Sequence, residues 1–204
     1  NGVLINNLNI QTTADLNVAE IEFTKRRLLQ LQENPIPGNF DLAHLQAIHR
    51  HIFQGIYPWA GVIRTVDIYK NDTIFLPCNK IEKVFSELAD NIKKEGNLVG
   101  LPQTEFSARL GDYLGKINIA HPFREGNGRT QRTFTKELAR QAGYDLQWQG
   151  IGNDAMKNAC ISAEKGNSSE LARLIKLNIT PNEHNKAQGI KNPAPDLKPR
   201  DIER

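Results

Sequence analysis

The sequence predicts a mainly helical domain carrying one β-hairpin, on three observations. Apolar residues recur every three or four positions through most of the chain. Residues 64–75 stand apart in combining β-branched and aromatic residues with a central polar turn. Proline and glycine punctuate the helical stretches at short intervals.

Residues 19–32 form the first helical stretch, with Ile21, Leu28 and Leu31 on one face, and Pro35-Ile36-Pro37-Gly38 breaks it. Leu42, Leu45, Ile48 and Ile52 mark a second helix, on which His44, His49 and His51 also fall. These histidines read as core or surface residues: His49 lies on a different face from the other two, and no carboxylate or cysteine completes a ligand set. Thr65, Val66, Ile68, Tyr69, Thr73, Ile74 and Phe75 flank the polar Lys70-Asn71-Asp72 and read as a hairpin. A lone hairpin in a helical chain is marginal unless it packs on something or serves a purpose. Ile81, Val84, Leu88 and Ile92 define a third helix, and Phe106, Leu110, Leu114 and Ile117 a fourth that ends near His121, because Pro122 disfavours helical geometry there. Phe134, Leu138 and Ala142 restart the period until Gly143 offers a left-handed cap. Shorter helices follow over residues 154–163 and 169–178.

At 204 residues, 39% hydrophobic and 24% charged, the chain can bury one sizeable core. The organisation expected is one domain over residues 1–180, then a proline- and lysine-rich linker or tail over 181–204 that leads to a further domain or simply ends. A net charge of +3 without a basic block argues against direct nucleic-acid binding. No apolar run approaches the ~20 residues of a membrane span. Two cysteines, Cys78 and Cys160, indicate neither a disulfide framework nor a zinc ribbon and suit a reducing compartment. The chain starts at Asn1, without methionine, and is read as a fragment.

Between the fourth and fifth helices stands His121-Pro122-Phe123-Arg124-Glu125-Gly126-Asn127-Gly128-Arg129-Thr130-Gln131-Arg132. Gly126, Asn127 and Gly128 fall at a helix N-terminus, where free backbone N–H groups and the helix dipole favour an anion. Arg129 and Arg132, three apart, project from one face, and two guanidiniums beside an anion site suggest a polyphosphate. Glu125 would be repelled by a bare phosphate unless a cation such as Mg²⁺ lies between them. His121 has an unperturbed pKa near neutrality, as suits a general base.

This run resembles the signature of the Fic family, His-Pro-Phe-x-Asp/Glu-Gly-Asn-Gly-Arg-x-x-Arg, and matches at every defined position. Ile48 to Phe53 (Ile-His-x-x-x-Phe), Trp59-Ala60-Gly61, Arg64 and the extended segment through Phe75 also look like family elements, so that the resemblance covers roughly residues 1–178. It implies a magnesium-dependent protein adenylyltransferase that moves AMP from ATP to a Ser, Thr or Tyr hydroxyl of a target protein and releases pyrophosphate. In that reading His121 deprotonates the attacking hydroxyl and Glu125 holds Mg²⁺ between the α- and β-phosphates. Gly126, Asn127 and Gly128 line the anion hole, Arg129 holds the β-phosphate and Arg132 orients the γ-phosphate. The hairpin is similar to the family's flap, in which Asp67, Ile68, Tyr69, Lys70 and Phe75 would dock an extended segment of the target by strand addition.

The kinase-like branch of the family has Lys at the position of Gly128, which disfavours phosphorylation; UMP transfer stays open because the signature does not encode the base pocket. Many relatives carry an inhibitory helix, Ser/Thr-x-x-x-Glu-Gly/Asn, whose Glu pairs with the second arginine. No full match occurs here: Ser86 to Asn91 has Asp90 in place of Glu, and Asn91 to Gly96 lacks the Ser or Thr. In this the chain resembles the subclass restrained by a small separate antitoxin that supplies a Glu to Arg132, the alternative being autoinhibition from a missing segment. The implied biology is a bacterial toxin or effector acting in the bacterial cytoplasm or inside a host cell. The rival reading is a catalytically idle Fic-fold binding module.

Overall fold

The computed structural model describes residues 2–70 and 73–182. The first helix, α1 (Thr13–Glu33), begins six residues before the expected residue 19, because Thr12 caps it by accepting from the Asp15 N–H. The expected apolar face is also corrected. Ile21 is 60% exposed, and the buried stripe is Leu16, Glu20 and Thr24, with Leu31 further along. Two polar residues hold core positions there because they face a guanidinium, described below.

Asp41 caps α2 (Leu42–Phe53), which packs on α1 and buries Leu45, Ile48, Ile52 and Phe53 together with His44 and His49. The hairpin is short, β1 (Tyr69–Lys70) against β2 (Thr73–Ile74), with Tyr69 opposite Ile74. Then come α3 (Ile81–Lys94) and the central helix α4 (Gln103–Ala120), on which α3, α5, α6 and α7 all pack. Phe106, Leu110, Leu114 and Ile117 are all buried on α4 at the predicted spacing. Gly111 lets α7 approach closely, since a Cβ there would stand 2.8 Å from the Ala172 backbone nitrogen.

Next are α5 (Asn127–Ala142), closed by left-handed Gly143, then β3 (Tyr144–Leu146), α6 (Asn153–Glu164), α7 (Ser169–Leu177) and β4 (Ile179–Pro181). The helical class with a flap hairpin is as expected, but β3 and β4 form a second antiparallel pair, Leu146 opposite Ile179. Its strands are too short to carry a period, and the pairing spans two helices. Pro181 belongs to this pair, so the start of the expected tail is tied to the domain; residues 183–204 lie outside the described ones. No helix among the described residues is long and apolar enough to cross a membrane.

Candidate active site

The signature run sits where α4 ends and α5 begins. His121 caps α4 in the left-handed conformation, φ 42°, a geometry costly for a side-chain-bearing residue and expected where the surroundings hold it for function. Its ring stacks on Phe75 at 3.8 Å between centroids, and its Nδ1 lies 3.1 Å from the Asn118 carbonyl oxygen. A carbonyl only accepts, so Nδ1 carries the proton and Nε2 keeps a lone pair. Burial lowers the His121 pKa to about 4, against the hydrogen bond to Asn118, which raises it. The imidazole is thus neutral at pH 7 and in one tautomer, the state a general base needs.

Gly126 caps α5 with φ 80°, and a Cβ there would lie 2.3 Å from the Phe53 ring, so glycine is required on both counts. Asn127 ties the loop to itself. Its Oδ1 accepts from the Phe123 N–H at 2.9 Å and its Nδ2 donates to the Phe123 carbonyl at 2.7 Å. Gly128 gives room to Arg132, whose Nη1 would be 3.2 Å from a Cβ at 128. Burial, and secondarily Arg129, lowers the Arg132 pKa. Such a desolvated guanidinium beside another cation is set to receive an anion. Glu125 stands exposed at the rim, with Oε1 accepting from the Gly126 N–H at 2.8 Å. Mg²⁺ asks for one or two protein carboxylates plus phosphate oxygens, so a single rim carboxylate beside an anion cradle fits it.

Three residues that local patterns do not identify as part of this site hold it in place. His49 accepts from the Gly61 N–H at 2.8 Å through Nδ1, which leaves its Nε2–H to donate to the Glu125 carbonyl at 3.0 Å. Stacked on Phe123 at 3.9 Å and driven by burial to a pKa of about 4, it is a neutral brace beneath the loop. Arg64, placed in the sequence only as a family element, is buried. Its guanidinium donates to the carbonyls of His121 (2.8 Å), Ala120 (3.2 Å), Val66 (2.8 Å) and Leu76, joining the end of α4 to both sides of the hairpin base. Glu20 on α1 pairs with Arg129, Nη2 to Oε1 2.5 Å. The one sequence signal for Glu20 is its four-residue spacing from Leu16 and Thr24.

The structure therefore brings His121, Glu125, Gly126, Asn127, Gly128 and Arg132 together, with Arg129 directed toward α1. In the hairpin, Tyr69 is 81% exposed and Lys70 is also exposed, whereas Phe75 is buried against His121. Asp67 accepts from the Cys78 N–H at 2.7 Å at the hairpin base, and that hydrogen bond leads in lowering its pKa. Ile68 accepts from the Phe75 N–H at 3.4 Å.

Residues 39–139 match the Fic/DOC family profile. The protein adenylyltransferase VbhT of Bartonella schoenbuchensis is 41% identical over 179 residues, 88% of this chain but 37% of VbhT, so this chain spans little more than a third of that relative. The Fic protein of Escherichia coli (strain K12) is 41% identical over 173 residues, covering 85% of this chain and 86% of that one. Among solved structures, the VirB-translocated effector BepC of Bartonella tribocorum with bound AMPPNP superimposes with a TM-score of 0.84 at 28% identity, covering 88% of this chain and 93% of that chain. With a complete signature, the helical fold that presents it and a relative 41% identical over 86% of its own length, the chain belongs to the Fic/DOC family.

Proposed function

We propose that this chain is a protein adenylyltransferase, transferring AMP from ATP to a Ser, Thr or Tyr hydroxyl of a target protein. The observation that carries this reading is the neutral His121, its Nε2 free of a proton, next to the glycine cradle at the start of α5. The hydroxyl oxygen attacks the α-phosphorus while its proton passes to His121 Nε2. The bond from the α-phosphorus to the bridging oxygen breaks, and pyrophosphate leaves. Gly126, Asn127 and Gly128 present the first-turn amides to the phosphates, Arg129 takes the β-phosphate and Arg132 the γ-phosphate. Glu125 would hold Mg²⁺, which supplies charge neutralisation to the polyphosphate when bound. Names of relatives support the activity, since VbhT is a protein adenylyltransferase and the BepC structure holds an ATP analogue.

The exposed hairpin edge at Tyr69–Lys70 suits strand addition by an extended target segment. A groove of about 310 Å³ between α1 and α5 is lined by Leu28, Leu31 and Trp148 together with Arg132 and Lys136. That lining suits a small antitoxin helix whose Glu reaches Arg132, in keeping with the absence of a full inhibitory match within residues 1–204. Such a partner added to the purified chain lowers ATP affinity; unchanged affinity with every candidate partner removes this part of the reading.

The test of the activity is to incubate the chain and its His121→Ala variant with α-labelled ATP, Mg²⁺ and bacterial or eukaryotic lysate. Labelled protein that depends on His121 is the expected result, and the lysate that yields it indicates where the target resides. Label from UTP alone would replace AMP with UMP. No label from any nucleotide would favour the idle binding module.

A further inference from the structure

Arg129 is gripped from α1 and α2. Its Nη2 donates to Glu20 Oε1 at 2.5 Å, its Nη1 to Thr24 Oγ1 at 3.3 Å, and its guanidinium lies 4.8 Å over the Phe53 ring. Glu20 is only 9% exposed and is fixed in turn by the Tyr57 hydroxyl, which donates to Oε2. Thr24 donates to the Glu20 carbonyl at 2.7 Å, leaving its oxygen lone pairs toward the arginine. A carboxylate at this depth costs several kcal/mol of desolvation unless it is well paired. Packing alone would be served by another leucine, such as Leu16 or Leu31 on the same helix. A guanidinium has five N–H donors, and Glu20 and Thr24 engage two. Arg129 lines the same groove as Arg132 and is only partly buried.

We propose that Glu20 is a positioning residue for the β-phosphate subsite, holding Arg129 against Phe53 so that the guanidinium presents its unused donors to the nucleotide. This rests on the reading that Arg129 receives the β-phosphate. It makes α1, a hundred residues upstream of the signature, part of the nucleotide site.

The decisive comparison is between an unreactive imido analogue of ATP and AMP, which has no β-phosphate. Their binding to the chain is measured by calorimetry with Mg²⁺ in a His121→Ala background, with and without Glu20→Gln. Glutamine keeps the size of the side chain and an oxygen for Tyr57. The expected result is a roughly tenfold loss of affinity for the triphosphate analogue, the scale of one charge-assisted hydrogen bond, with AMP affinity held within about twofold. Adding Arg129→Gln to Glu20→Gln costs less than the sum of the two single losses, because Glu20 acts through Arg129. Tyr57→Phe, which frees Glu20 while keeping its charge, gives a smaller loss in the same direction and serves if Glu20→Gln melts early. Equal weakening of both nucleotides, or an undiminished triphosphate affinity, overturns the inference. No transfer step enters this readout. A Glu20-dependent affinity for the analogue in a chain that labels no protein therefore supports the inference while removing the activity.

Discussion

The signature loop and the hairpin meet where Phe75 stacks on His121 and where Arg64 binds the His121 carbonyl, and they differ in how they are held. The loop is fastened from every side, by His49 beneath, Asn127 across, Arg64 at the end of α4 and Phe53 under Gly126. The hairpin has two-residue strands with Tyr69 81% and Ile74 85% exposed, and among the described residues its side-chain hydrogen bond to α6 is Thr73 Oγ1 to Glu164 at 3.1 Å. The contrast matches the two tasks proposed: chemistry needs a fixed geometry, while docking by backbone tolerates many sequences and needs an open edge.

The harshest way to break the comparison is at the base. Replacing His121 with Ala lowers the transfer rate roughly 10²- to 10⁴-fold, with binding of an ATP analogue kept close to that of the parent, because the imidazole is not a phosphate ligand in this scheme. A KM effect as large as the kcat effect would count against that role. Next is Gly126→Ala, where left-handed φ and the collision with Phe53 act together. It lowers unfolding free energy by about 3 kcal/mol or more, read by urea denaturation, and a change under 1 kcal/mol would show the loop to be softer than described.

Acid distinguishes the regions by the same logic. His49 and His121 are held near pKa 4 in the fold against 6.5 when unfolded, chiefly by burial. Above pH 6.5 both states are neutral and stability is complete. Between pH 6.5 and 4 the unfolded chain takes up protons that the fold refuses, so stability falls as pH falls. For His49 the loss is on the order of 3 kcal/mol by pH 4. Imidazole titration by NMR checks this directly, with both histidines silent down to pH 5; titration near 6.5 would contradict the burial argument. The smallest effect is on the hairpin. Tyr69→Ala with Ile74→Ala shifts unfolding free energy by no more than about 0.5 kcal/mol yet raises KM for the protein target several-fold. Loss of stability without a change in KM would turn the hairpin into mere cover.

What could be read from the sequence follows the same division between local and distant. Helical periods, Pro122 after His121 and the glycines at 126, 128 and 143 are signals within a few residues, and the helix boundaries around the site follow them closely. Partners far apart in the chain leave no such trace. Glu20 and Arg129 are separated by 109 positions, and the pairing of β3 with β4 runs across two intervening helices. Periodicity places Ile21 on the apolar face because it is blind to a buried carboxylate, Glu20, that has a partner elsewhere. The sequence leaves His49 as a core or surface histidine, and its brace to the Glu125 carbonyl has no local signal, since that depends on which tautomer Gly61 selects.

The side chain of Asn127 has a thermodynamic consequence. A loop that becomes ordered only when its ligand arrives subtracts roughly 1–2 kcal/mol per residue of lost backbone freedom from the affinity. By bonding both the N–H and the carbonyl of Phe123, Asn127 closes residues 123–127 into a ring before any nucleotide comes. That entropy is lost at folding, and the attraction between cradle and phosphate can be expressed in full as binding.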